Sequence, residues 1–413
     1  MKNQVLLICI LFLASIKTSA QNNNLDYFIQ KGIESNPLFY DLGNKIKITE
    51  LDSLKARALY NPIVSAASNL IIAPTYKGLG YDTAISNGQN IDATLTITKR
   101  LISNNNLKAR LNSYKLDKKS IENQKQQSID IVKKAVIDQY ITTFMNQELL
   151  HLSDEIIAFL QKEDKVLIKL TTNSNIKQTD YLNFKVTLQQ SLFNNEQQRM
   201  LWINNLSLLN YICGTNNNGT DSIVSPVIGL PVIIPFEESY YGKNDAIDSL
   251  KNKNNEQLIR LNYKPQVSVF ANSGYTSSFM TTPYKNFGIS LGVSMNLPIY
   301  DGKQKKLSLM QNDLNEQNRK TYRDANKKNY INQVQRLQQQ IERYNKLISM
   351  TPQQFKYSRA LVDANAHLLG TGEVSVTDFL LSINNYLNIK AIDIQNRTNR
   401  LLLINQLNYL ISP

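Results

Sequence analysis

The chain has 413 residues, with 46 Lys and Arg against 33 Asp and Glu, a formal net charge of +13 and 42% apolar residues. The cations are scattered among Asn, Gln, Asp and Glu instead of forming a dense tract; this argues against nucleic acid as a partner and reads as solvated helix faces, with acidic partners or lipid headgroups as the alternative. Only 15 Gly and 11 Pro over this length imply long uninterrupted elements in place of many loops.

The N-terminus reads as a removable export signal over residues 1–20. Lys2 is followed by the apolar run Val5–Ala14 and by small residues at Thr18-Ser19-Ala20. The run is shorter than the roughly 20 residues a spanning helix needs. Without Lys2 and Lys17 the charge falls to +11, and Cys213 is the only thiol left, so no intrachain disulfide is expected. Ile8 is bulky where a lipoprotein site before Cys9 wants a small residue, so the mature N-terminus reads as unlipidated. No later stretch is long and apolar enough to span. The exported chain is then either soluble or inserted as a β-barrel.

A first helix is expected over about 25–60, then a strand at 63–73 after Pro62 and a second at 91–101, where Ile91 to Thr98 alternates apolar and polar without a fault. A long helical hairpin follows with its tip near 171–180. Residues 215–239, punctuated by Pro226, Pro231 and Pro235, read as a linker. The pattern then recurs: a helix at 240–261, strands at 266–275 and 289–299, and a hairpin with its tip near 369–378. In its first arm Tyr330, Val334, Leu337, Ile341, Tyr344 and Ile348 form a 4-3-4-3-4 seam for helix packing. Pro352 is expected to kink or end that arm.

The recurrence has one fixed offset. Ile91 and Ile289 lie 198 residues apart, as do Thr179-Asp180-Tyr181-Leu182 and Thr377-Asp378-Phe379-Leu380, and Leu209-Asn210-Tyr211-Ile212 and Leu407-Asn408-Tyr409-Leu410. Three landmarks aligned without a gap indicate a duplicated half, 21–214 and 240–413.

The strands have the length of tilted membrane-spanning β-strands. Ile289, Leu291, Val293, Met295 and Leu297, with Ile91, Leu95 and Ile97, are the candidate lipid-facing residues. Four strands are too few to close a barrel, and lipid does not tolerate open edges, so several copies would have to share one wall.

With this order of elements, three local stretches resemble the TolC-type outer-membrane efflux family: Tyr263-Lys264-Pro265-Gln266-Val267-Ser268-Val269, Val293-Ser294-Met295-Asn296-Leu297-Pro298-Ile299-Tyr300-Asp301-Gly302, and Gly372-Glu373-Val374-Ser375-Val376-Thr377-Asp378-Phe379-Leu380. The resemblance implies a mainly α chain with transmembrane β. Four strands per protomer would build a shared trimeric 12-strand barrel that continues into long antiparallel helical hairpins, the α-barrel. It implies a homotrimer in outer-membrane lipid, helices in the periplasm, a periplasmic adaptor and an inner-membrane pump, in efflux or type I secretion.

It also places the gate at the hairpin tips. Gly370, Gly372 and Ser174 are the candidate turn residues, and Asp378 with its repeat mate Asp180 the candidate pore lining. Three copies of each would crowd like charges, raising carboxylate pKa values and favouring cations. Helix capping is the bland reading of an Asp in a first turn, and it is compatible with a pore-lining role. The alternative to a pore is a periplasmic coiled-coil adaptor or interaction protein. No catalytic, cofactor or metal site is expected: His151 and His367 are far apart, and Gly370-Thr371-Gly372 lacks the remainder of a phosphate loop.

Overall fold

The computed structural model describes residues 24–81, 88–101, 104–172, 176–215, 222–278 and 282–412. The export signal read at 1–20 and the candidate turn residue Ser174 lie outside them. Asn24 starts the first helix: its Oδ1 accepts the Tyr27 N–H at 3.0 Å, and α1 runs Leu25–Glu34. The single helix expected over 25–60 is in fact two, because the chain breaks and restarts as α2, Pro37–Ala58. Pro37 disfavours helical backbone at Asn36, while its own missing N–H is harmless in a first turn.

The order continues with β1 (Ile63–Ile72), β2 (Gln89–Leu101), α3 (Asn104–Thr172) and α4 (Gln178–Cys213), then α5 (Tyr240–Asn262), β3 (Gln266–Ser277), β4 (Phe287–Asn296), α6 (Gln304–Thr371) and α7 (Val376–Leu410). The alternation placed β4 two residues too late and ran it past its end. The strand stops at Asn296, so Leu297 is not a strand residue: Pro298 has no N–H for a ladder and restricts the residue before it. Pro352 does not end its helix. It sits inside the 68-residue α6, where the Ile348 carbonyl forgoes its usual donor.

All four strands form one antiparallel sheet in the order β1-β2-β3-β4. The chain divides into two compact units, each drawing on both sequence halves. The sheet unit comprises the described parts of Tyr40–Lys125 and Tyr240–Lys328; the helical unit comprises the described parts of Met1–Phe39, Gln126–Ser239 and Asn329–Pro413.

In the sheet unit, asparagines hold α5. Asn254 donates to the Ala109 carbonyl and accepts from Asn112, each at 3.0 Å, while Asn255 donates to Asn312 at 2.9 Å and Asn252 to Glu316 at 3.1 Å. Arg319 joins the same layer, bridging Asp245 and Glu316; its hydrogen bond brings the Glu316 carboxyl down to about 2.

The helical unit has three apolar clusters. One joins Phe28, Val136, Tyr140, Leu209 and Cys213 with Ile223. Another gathers Phe236 with Tyr330, Val334, Leu337, Ile341, Ile404 and Leu407, so the first four seam residues face a core as expected. The third lies towards the hairpin tips, where Leu160, Leu167, Phe184, Leu369, Phe379 and Tyr386 come from all four long helices. The linker is tied down at both ends: Tyr140 Oη donates to the Val224 carbonyl at 2.6 Å, and Tyr330 Oη to the Ile234 carbonyl at 2.8 Å.

Candidate functional site

Residues directly opposed across antiparallel strands share a face. The register sets Ile289 against Ser273, Leu291 against Ala271, Val293 against Val269 and Met295 against Val267. Ala271 and Ser273 in turn face Ile97 and Leu95, which face Val64 and Ala66, and Ile91 faces Leu70. Seven of the eight candidate lipid-facing residues therefore lie on one sheet face, and Leu297 follows it. This face is bare: Ile289, Leu291, Val293 and Met295 are 77%, 81%, 70% and 61% exposed. So large an apolar surface marks a contact with lipid or protein.

The opposite face carries Thr94, Thr96, Thr98, Ser268, Asn272, Ser290 and Ser294. Ile63 and Ile71 on β1 are apolar exceptions there, and so is Phe270. Its ring covers Gly292, where a Cβ would stand 2.3 Å from it, so the alternating strand needs a glycine at that place. β1 and β4 each pair on one side only, leaving two open edges.

At the second hairpin tip, Gly372 takes the left-handed conformation at φ 78°, and the N–H groups of Gly372 and Glu373 bond back to the Leu369 and Leu368 carbonyls. Gly370 is not in the turn; it belongs to the last turn of α6. Ser375 then caps α7. Its Oγ accepts the Asp378 N–H at 3.1 Å and donates to the Asp378 carboxylate at 2.7 Å, with Asp378 exposed. Asp180 occupies the first turn of α4 behind Lys177, a cap residue that makes no side-chain bond. The two repeat mates thus share a position but not a setting.

No protein-family model and no curated protein matches the sequence. Solved structures do match. The chain resembles CusC, studied for transmembrane channel formation, with TM-score 0.77 and 11% identity over 94% of this chain and 92% of that one. It resembles the outer membrane protein VceC of Vibrio cholerae with TM-score 0.75 and 12% identity over 94% and 96%. It likewise resembles the MtrE outer membrane channel of Neisseria gonorrhoeae with TM-score 0.75 and 11% identity over 94% and 88%. The chain has the TolC-type fold.

Within this TolC-type fold, sequence reasoning missed half of the apolar face. Val64, Ala66 and Leu70 on β1 and Val267, Val269 and Ala271 on β3 complete it, but neither strand alternates cleanly enough to announce itself. It also missed Glu163, a buried carboxyl on the α3 stripe between Leu160 and Leu167; burial raises its pKa. Burial likewise pushes the Cys213 thiol up to about 12, which makes it a packing residue and not a nucleophile. Among the described residues no group of three or more His, Cys, Asp or Glu is placed to hold a metal, and no helix is long and apolar enough to cross a membrane.

Proposed function

We propose that the chain is a subunit of an outer-membrane channel, a passive exit duct of a tripartite efflux or type I secretion system, and not an enzyme. One observation carries the reading: a four-stranded sheet with one bare apolar face, one polar face and two unpaired edges. In lipid each open edge leaves backbone groups without partners, at several kcal/mol apiece, and a four-stranded sheet cannot close on itself. Three copies joined edge to edge would give twelve strands, with the apolar face to lipid and the Ser/Thr/Asn face to water. The chain lies in the outer membrane with its helices in the periplasm. It works there with an adaptor and an inner-membrane pump, and Asp378 and Asp180 line the tip.

The test is the state of the purified protein. The reading expects outer-membrane fractionation, a need for detergent, and a particle of three protomers that conducts in planar bilayers. A monomer that stays in solution without detergent overturns it and favours the periplasmic adaptor.

A further inference from the structure

The sheet rim opposite the two hairpin turns concentrates cations that conduction does not require. Lys99 and Arg100 lie at the end of β2, Lys264 stands just before β3, and Lys303, Lys305 and Lys306 surround the start of α6. The register brings these stretches to the same end of the sheet: Lys99 opposes Val269, Arg100 opposes Ser268, and Gln266 opposes Asn296. Lys305 Nζ stands 5.4 Å from the centroid of the Tyr263 ring, next in sequence to Lys264.

The carboxylate at this rim is already engaged. Asp301 accepts the Lys305 N–H at 2.7 Å, and that bond holds its pKa below the usual range. Several cations elsewhere in the sheet unit have a carboxylate partner, as Lys118 has Glu50, Lys251 Asp117, Arg260 Glu256 and Arg319 Asp245. Among the described residues none of the six rim cations has an acidic partner. Lys303 even holds a left-handed backbone at φ 71°, where Asn or Gly would sit with less strain.

The apolar surroundings complete the pattern. Lys99 shares its face with Ile97 and Leu101, so its aliphatic stem can lie along hydrocarbon while the ammonium reaches headgroup level. Ile299 and Tyr300, between β4 and the lysines of α6, are 94% and 82% exposed, and a tyrosine at this height suits a membrane interface.

We propose that this rim is a headgroup collar that binds the phosphates of anionic phospholipids in the leaflet from which α3 and α6 depart. The proposal rests on the outer-membrane channel reading. It is tested by native mass spectrometry of detergent-purified protein offered phosphatidylglycerol and phosphatidylcholine together. The wild type is expected to retain phosphatidylglycerol preferentially. The variant Lys99→Gln, Lys264→Gln, Lys303→Asn, Lys306→Gln should lose that preference by at least about tenfold, since each surface cation near an anionic leaflet adds to the attraction. Neutralising Lys320, Lys328, Lys346 and Lys356 on α6 should leave it intact. If the fourfold variant fails to assemble, Lys99→Gln alone carries the test with a smaller loss.

A wild type without preference, an equal loss in the α6 control, or equal displacement by soluble glycerol phosphate overturns the collar. Bilayer recordings in pure phosphatidylcholine keep the two readings apart. Currents there without lipid preference refute only the collar, whereas a protein that never conducts removes the channel beneath it.

Discussion

The side-chain amide of Gln147 closes both main-chain hydrogen bonds of Ile223: its Nε2 donates to the Ile223 carbonyl at 3.0 Å, and its Oε1 accepts the Ile223 N–H at 2.8 Å. Both residues are 4% exposed, so α3 holds the linker as a neighbouring strand would, through one glutamine. Gln147→Leu keeps the bulk but leaves a buried N–H and C=O without partners, each worth about 1–3 kcal/mol. A loss of about 2–5 kcal/mol in denaturant unfolding is expected, with the sheet unit unaffected by circular dichroism. A change below 0.5 kcal/mol would show that water replaces the amide.

That contact also marks what a sequence can tell. Gln147 and Ile223 are 76 residues apart, and nothing in either neighbourhood announces the pairing. Nothing in the sequence marks the asparagines of α5 as buried, yet Asn254 is 6% exposed and bonded twice, because a polar side chain reveals its burial only once a second helix supplies its partners. By contrast, β4 was legible because Ile, Leu, Val and Met alternate with Ser, Gly and Asn, and period two fixes the face without reference to a partner. Its end was misplaced by three residues, as apolar spacing continued into Leu297 and Ile299 while proline chemistry did not. Pro37 and Pro352 make the same point. The first separates two helices; the second is carried within a helix whose neighbouring turns pack well enough to bear one lost bond.

The bare face of β4 gives a paired prediction. Leu291→Arg puts a charge on the apolar face and should destabilise membrane insertion by about 2–4 kcal/mol if the residue lies near the bilayer midplane. Ser290→Arg, one residue away on the polar face, should insert normally and alter conductance instead. Urea-dependent folding into vesicles reads the first effect and bilayer recordings the second. Equal tolerance of both substitutions would mean that the face does not meet lipid.

Two carboxyls give opposite pH responses. Glu316, lowered from 4.5 to about 2 by its hydrogen bond to Arg319, adds stability that is complete above about 4.5 and disappears as pH falls towards 2. Glu316→Gln should therefore weaken the sheet unit by about 1–2 kcal/mol at pH 7, with the difference vanishing near pH 2. Glu163 is raised by burial, so its neutral form suits the fold and its penalty grows as pH rises through the folded value. Glu163→Gln should raise the melting temperature at pH 7 and leave it unchanged near pH 4. Parallel thermal melts of both variants across pH test the signs together.

The tip separates capping from conduction, because Ser375 and Asp378 share one pair of hydrogen bonds. Ser375→Ala removes the cap hydroxyl but keeps the carboxylate, and should cost about 1 kcal/mol of helix stability while leaving a negative charge at the tip. Asp378→Asn keeps the size and most of the capping geometry but removes the charge, so stability should hardly move. If Asp378 lines the pore in three copies, Asp378→Asn should weaken cation selectivity and block by divalent cations, effects that Ser375→Ala should not share. Should the two variants change currents alike, the carboxylate acts only through the helix it caps. Asp180, whose helix lacks a side-chain cap, gives the control: Asp180→Asn has no cap bond to lose, so any change in its currents reports charge alone.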